Sequence, residues 1–200
     1  MIKEDIKIRF LVYVGLLVGL VFTLFPVFWI FISSVKTNTE VFAYPPSFIP
    51  ENFTLSAYFN IFNDEDKLRF FFNSYFIAII VTILTLLISI LSGYSFSRFD
   101  FKLKRILNLS IISTQTIPPI TLLIPYFGIV VTFKIFDTYL ALILTYLVFT
   151  IPYATLMMTS YFNTLPKELD DAVLMDGGSN FTALYRVIIP ISLPGIVATC

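Results

Sequence analysis

The chain of 200 residues contains no histidine, one cysteine at its last position (Cys200) and 13% charged residues. Without histidine and with a single thiol there is no Cys/His zinc site, no Cys–His dyad and no disulfide framework. A formal net charge of zero leaves no basic footprint for nucleic acid. The scarcity of charge is also local. Residues 10–35, 70–97, 106–133 and 139–162 hold no Asp, Glu, Lys or Arg at all. Carriers driven by protons or ions usually keep an ionisable residue at membrane depth, so any driving energy here should enter from outside the lipid. There is no G-x-S-x-G motif, no glycine-rich phosphate loop and no carboxylate pair inside an apolar run. A membrane enzyme would have no catalytic set to offer.

What the chain does have is apolar surface. It is 58% hydrophobic and 18% aromatic, against about 45–50% apolar for a typical soluble domain. Lipid must serve as the solvent. Each of the four charge-free runs exceeds the ~20 helical residues that cross a bilayer core, which predicts an all-α polytopic membrane protein. Residues 1–9 form a short basic N-terminus with Lys3, Lys7 and Arg9. The first run lacks the small-residue cleavage site of a signal peptide, so it is expected to be retained. Pro26 should kink it, and Trp29 suits the far interface.

Residues 36–69 make a long polar connection with Pro45-Pro46, Pro50 and the acids Asp64-Glu65-Asp66. It is too proline-broken for a span and rich in aromatics (Phe42, Tyr44, Phe48, Phe53, Tyr58). An ordered external loop on the membrane surface is expected, with a plain solvated connection as the alternative. Residues 98–105 form a short basic loop, and 134–138 a brief external turn. Pro118-Pro119 removes two backbone donors from the third run and must break or bend it. Nine of the thirteen Lys/Arg fall in the N-terminus, 98–105 and 163–190. By the positive-inside rule these three segments are cytoplasmic. Residues 191–200 begin a fifth span too short to cross, so the sequence reads as a fragment or a shortened product.

Neutral polar residues in the spans, namely Thr114, Gln115 and Thr116 before Pro118-Pro119 and Thr145, Tyr146, Tyr153 and Thr159 in the fourth run, are candidates for lining a path for an uncharged, hydroxyl-rich solute. Gln115, Pro118, Tyr146 and Tyr153 are singled out for it. Hydrogen bonding between helices is the competing use for such groups.

The segment 163–190 is the polar interruption in this greasy chain, holding four acids within nine residues: Glu168, Asp170, Asp171 and Asp176. Pro166 suits the first turn of a helix, and Glu168 and Asp170 suit its positive end. Leu169, Ala172 and Val173 predict a narrow apolar stripe. Asp170 and Asp171 should point apart, which is poor ligand geometry for a metal. Gly177-Gly178 supplies a tight turn through positive φ. Ser179 then caps a second helix carrying Phe181, Leu184 and Val187, with Arg186 in its last turn and Pro190 stopping it. Two short helices at an angle with an acidic rim make a knob that fits a groove on another protein. A loop lying on lipid would instead carry a basic polar face.

At these residues the segment resembles the cytoplasmic loop of inner-membrane permease subunits of ATP-binding-cassette importers. That pattern is Glu-Ala-Ala, three residues, Gly, nine residues, Ile-x-Leu-Pro. Here it stands as Asp171-Ala172-Val173, Gly177 and Val187-Ile188-Ile189-Pro190, with both spacings kept and conservative exchanges. Leu165-Pro166-Lys167-Glu168-Leu169, Asp176-Gly177, Phe25-Pro26, Trp29, Ser34-Val35-Lys36-Thr37 and Tyr44-Pro45-Pro46 are similar to the carbohydrate-uptake branch of the maltose and multiple-sugar type.

The resemblance implies a type I importer permease-like helical bundle in a bacterial or archaeal cytoplasmic membrane, with its N-terminus inside. It implies a second permease subunit, an ATPase dimer that uses ATP and Mg, and an extracytoplasmic sugar-binding protein. The chain itself would bind no cofactor or metal and hydrolyse nothing. By carry-over, Glu168, Leu169, Asp171, Ala172, Val173, Met175, Asp176, Gly177 and Pro190 belong to the loop that docks on the ATPase. The resemblance also implies six spans, two more than the sequence completes. A polyol or glycerol phosphate permease, or a non-transporting membrane component, stands as the alternative.

Overall fold

The computed structural model describes residues 6–200, and among them every regular element is helical. Lys3 lies outside the described residues. The chain divides into two compact units, Met1–Phe72 and Asn73–Cys200.

The first unit is dominated by α1 (Ile6–Ser34), which contains Pro26. No residue of its apolar stretch is buried by protein, so its side chains need lipid or another chain as solvent. Two short helices follow, α2 (Asn38–Val41) and α3 (Ser56–Phe62). Side chains, rather than repeating backbone bonds, tie this connection together. Lys36 is buried, its ammonium donates to the carbonyl and the hydroxyl of Ser47, and it lies 5.3 Å from the Trp29 ring centroid. Trp29 in turn meets Phe48 edge-on at 5.6 Å. The Glu40 carboxylate accepts from the Glu51 amide at 2.8 Å and from the Ser47 hydroxyl at 3.2 Å.

Helix α4 (Glu65–Arg98) begins in the first unit and supplies the second from Asn73 onward. It packs on α7 (Tyr139–Asn163) through small and hydroxylated residues. Thr85 and Thr150 hydroxyls meet at 2.7 Å, and Ser92 and Thr155 at 2.9 Å. Hydroxyl pairs of this kind join helices in bundles, but they are made by residues other than the neutral polar ones singled out from the sequence. Most other hydroxyls stay within their own helix: Thr114, Thr116, Thr145 and Thr159 each donate to a carbonyl three or four residues back.

The third apolar run is broken at its paired prolines. It forms α5 (Lys104–Thr116), a 3₁₀ turn (Pro119–Leu122) and α6 (Leu123–Thr132), with a bend of 97° at the break. Two consecutive prolines delete two donors, and Pro118 holds Ile117 extended (ψ 121°). Tyr126 on α6 meets Phe149 on α7 edge-on at 5.9 Å.

The last part of the chain is α8 (Glu168–Met175), α9 (Asn180–Ala183), a π-turn (Leu184–Ile188), α10 (Ile189–Ile191) and α11 (Leu193–Thr199). The core of the unit lies where these elements meet α4 and α7: Tyr94, Met158, Phe162, Leu184, Ile188 and Ile196.

Candidate functional site

The 163–190 segment forms two short helices around a glycine crook. Helix α8 starts one residue after Lys167, with Glu168, Asp170 and Asp171 in its first turn. Acidic residues in a first turn lie at the positive end of the helix dipole. Gly177 has φ +81° just past the helix end, with open space around it. This is the left-handed position that ends helices and favours glycine. Gly178 packs against Val173 and donates to its carbonyl at 2.8 Å. Ser179 caps α9, its hydroxyl accepting from the Thr182 amide at 3.2 Å.

The inward and outward faces of these helices differ from the expected stripes. On α8, Leu169 and Val173 are half-buried and Asp170 is buried, while Ala172 is exposed with Glu168, Asp171, Asp176 and Gly177. Met175 is 83% exposed. Ala172 therefore belongs to the outer surface, because Asp170 takes the inward position of the first turn. On the second helix Ala183, Leu184 and Ile188 are buried, Val187 is half-buried and Phe181 points outward. The Ser179 cap sets this register. Pro190 does not stop the helix. The chain stays helical through Ile191 and turns by 77° before Leu193. A π-turn precedes Pro190, and a widened turn relieves the clash between a proline ring and the carbonyl four residues back. Pro190 itself is exposed.

Asp170 is the residue whose importance the sequence did not single out. It points away from exposed Asp171 and into the protein, where α4 holds both its oxygens. Tyr94 Oη donates to Oδ1 at 2.5 Å, and Arg98 Nε lies 2.8 Å from Oδ2 as an ion pair. Arg98 Nη1 also donates to the carbonyls of Phe162 at 3.1 Å and Leu165 at 3.2 Å, at the end of α7. Tyr94 is braced by edge-on contacts with Phe99 and Phe162. The only sequence signal was the four-residue spacing of Tyr94 and Arg98, which puts them on one face of α4.

The four path candidates do not converge. Tyr153 lines a cavity of about 250 Å³ with Thr82, Thr85, Thr150 and Thr199, between α4, α7 and α11. Gln115, Pro118 and Tyr146 are exposed and are not among its lining residues. The lining carries hydroxyls and no charge. Among the described residues no three Asp, Glu or Cys side chains gather as a metal site would require.

Residues 85–200 match the family model described as "Binding-protein-dependent transport system inner membrane component". A sulfoquinovosyl glycerol transport system permease protein of Agrobacterium fabrum is 37% identical over 173 residues, covering 86% of this chain and 61% of the relative. A trehalose/maltose transport system permease protein of Thermococcus litoralis is 31% identical over 200 residues, covering 98% of this chain and 71% of the relative. Among solved structures, a chain from a bacterial ABC transporter involved in the import of the acidic polysaccharide alginate superposes with a TM-score of 0.73 at 22% identity. That likeness covers all of this chain and 71% of the other, and it shows a common fold. The chain spans about three-fifths of the length of the first of these relatives.

Proposed function

The chain belongs to the family of binding-protein-dependent transport system inner membrane components, and from that premise we propose that it is a permease subunit of an ATP-driven sugar importer. It works in a bacterial or archaeal cytoplasmic membrane with its N-terminus inside. Its partners are a second permease subunit, a cytoplasmic ATPase dimer that binds ATP and Mg, and an extracytoplasmic sugar-binding protein. The ATPase does the hydrolysis, and this chain supplies part of the path.

The observation that carries the docking role is the two-faced character of α8. Its inner face is anchored through Asp170, and its outer face presents Asp171, Ala172 and Met175 beside the Gly177 crook. An exposed methionine with small neighbours and an acidic rim suits a groove on another protein. Charge-free spans support the assignment, because they leave the cytoplasmic partner as the source of energy. Two observations support a carbohydrate cargo: the threonine- and tyrosine-lined cavity and the saccharide or glycoside names of the relatives. A glycerol phosphate would want Lys or Arg at the lining, and the cavity presents none.

Gly177→Asp tests the docking role. The position is exposed with open space around it, and Asp tolerates positive φ better than most residues. The substitution should therefore leave the fold intact while adding bulk and charge to the crook. The expected result is normal membrane insertion with loss of ATPase co-purification and of labelled-sugar uptake by the full complex. Unchanged co-purification and uptake would sink the assignment.

A further inference from the structure

We propose that Tyr94, Arg98 and Asp170 are positioning residues that make α8 move as one body with α4, so that a load on the docking helix reaches the spanning helix through side chains. The proposal rests on α8 being the docking helix.

An eight-residue helix held only at its ends would swivel under such a load. The chain enters α8 through residues 164–167 and leaves it at Gly177-Gly178, a glycine crook. Leu169 and Val173 grip the inner face through apolar contact, which is non-directional and lets surfaces slide. Asp170 is different. Its two oxygens are held from two positions four residues apart on α4, at 2.5 Å and 2.8 Å. The Tyr94 hydrogen bond fixes direction, and the Arg98 ion pair adds short-range attraction to the other oxygen. Arg98 extends the lock to α7 through the Phe162 and Leu165 carbonyls. One guanidinium thus gathers α4, α7 and α8.

Stability alone is a poor reason for this set. Burying an ion pair costs desolvation that apolar residues of similar volume avoid. Here the side chains are only 5% and 9% exposed, and Arg98 Nε, Arg98 Nη2 and Asp170 Oδ2 are buried with no hydrogen-bond partner among the described residues. Incomplete satisfaction makes the set costlier still. A directional lock is what it supplies that an apolar patch would not.

The test uses the full complex, with second permease, ATPase and binding protein, in proteoliposomes. The measured quantity is labelled-sugar uptake per ATP hydrolysed, with thermal stability followed in parallel. Asp170→Asn alone strands a buried cation and is expected to lower both. The double variant Arg98→Met/Asp170→Asn removes both charges, so stability should recover while uptake per ATP stays about tenfold below wild type, within ordinary site-to-site coupling. Recovery of both quantities in the double variant would show a merely structural pair and overturn the proposal. If the double variant does not assemble, Tyr94→Phe decides, because it deletes the hydroxyl's bond to Asp170 and its longer contact to the Asn180 carbonyl at 3.4 Å while keeping the packing. A reduced ratio supports the lock, and a wild-type ratio overturns it. ATPase retention on the wild-type complex and its loss on Gly177→Asp are read separately. If those fail, the docking assignment falls and takes this proposal with it.

Discussion

Gly93 of α4 lies so close to Met158 of α7 that a β-carbon at position 93 would stand 2.7 Å from Met158 Cβ. It would also stand 3.0 Å from the Thr159 amide nitrogen. The obstacle is a buried side-chain base and backbone, which cannot swing aside. Gly93→Ala should therefore force the two helices apart and cost about 1–3 kcal/mol, as overpacking does. Gly15→Ala is the control, since nothing lies within 4 Å of Gly15, and it should be neutral or slightly stabilising through helix propensity. Thermal melts in detergent read both. Equal melting temperatures for the two variants would remove the close approach as the basis of α4–α7 packing.

The first unit makes a pH prediction. The Glu51 amide bonded to Glu40, with help from Asn52, Ser47 and the charge of Lys36, holds the Glu40 carboxyl below its ordinary value of 4.5. A depressed carboxylate stabilises the fold above the unfolded value and loses that contribution as pH falls through the folded value. Ser47 links Glu40 to Lys36, and Lys36 sits over Trp29, the one tryptophan in the chain. Trp29 emission should stay level from neutral pH down to about 4.5 and shift below it. In Glu40→Gln that acid-side shift should disappear. An identical titration in both proteins would show that Glu40 does not hold the connection.

The legible features were local and the missed ones were long-range. Charge-free runs marked α1, α4 and α7 to within a few residues because lipid imposes one requirement on every position of a span. Gly177, Ser179 and Pro118-Pro119 could be read because positive φ, capping and a missing N–H are properties of single residues. The inward face of α8 could not. In eight residues Ala172 and Asp170 compete for the core on pattern alone, and the pattern favours alanine. Asp170 wins through Tyr94, 76 positions away, a separation on which periodicity is silent. The helix running through Pro190 was missed for a similar reason, since the π-turn before it has no composition of its own.

The glycine crook should respond unequally to its two residues. At Gly177 only backbone conformation resists a side chain, so Gly177→Ala should cost about 1–2 kcal/mol and Gly177→Asn less. At Gly178 a β-carbon would meet Val173 Cγ1 at 2.6 Å and the Val173 carbonyl oxygen at 2.9 Å. Gly178→Ala is therefore expected to be the more damaging, and adding Val173→Ala should relieve only the methyl part of the clash. Limited proteolysis between α8 and α9 would report the loosening. Equal cleavage rates in Gly178→Ala and wild type would contradict the close packing.

Ser192 offers a substitution that should stabilise. It is fully buried where the chain turns into α11, and its hydroxyl has no hydrogen-bond partner among the described residues. A buried, unbonded hydroxyl costs about 1–3 kcal/mol relative to one left in water. Ser192→Ala removes that cost and gives up only one oxygen atom of packing, so the melting temperature should rise. Thr155 is the counter-case. It is equally buried, but its hydroxyl bonds Ser92 at 2.9 Å across the α4–α7 contact. Thr155→Ala deletes this interhelical bond, leaving Ser92 its own-helix bond to the Ile88 carbonyl at 2.8 Å, and opens a small void, so it should lower the melting temperature. The opposite signs are the prediction, because burial is the same in both and only hydrogen bonding differs. A fall for Ser192→Ala as large as for Thr155→Ala would mean that the Ser192 hydroxyl is satisfied after all.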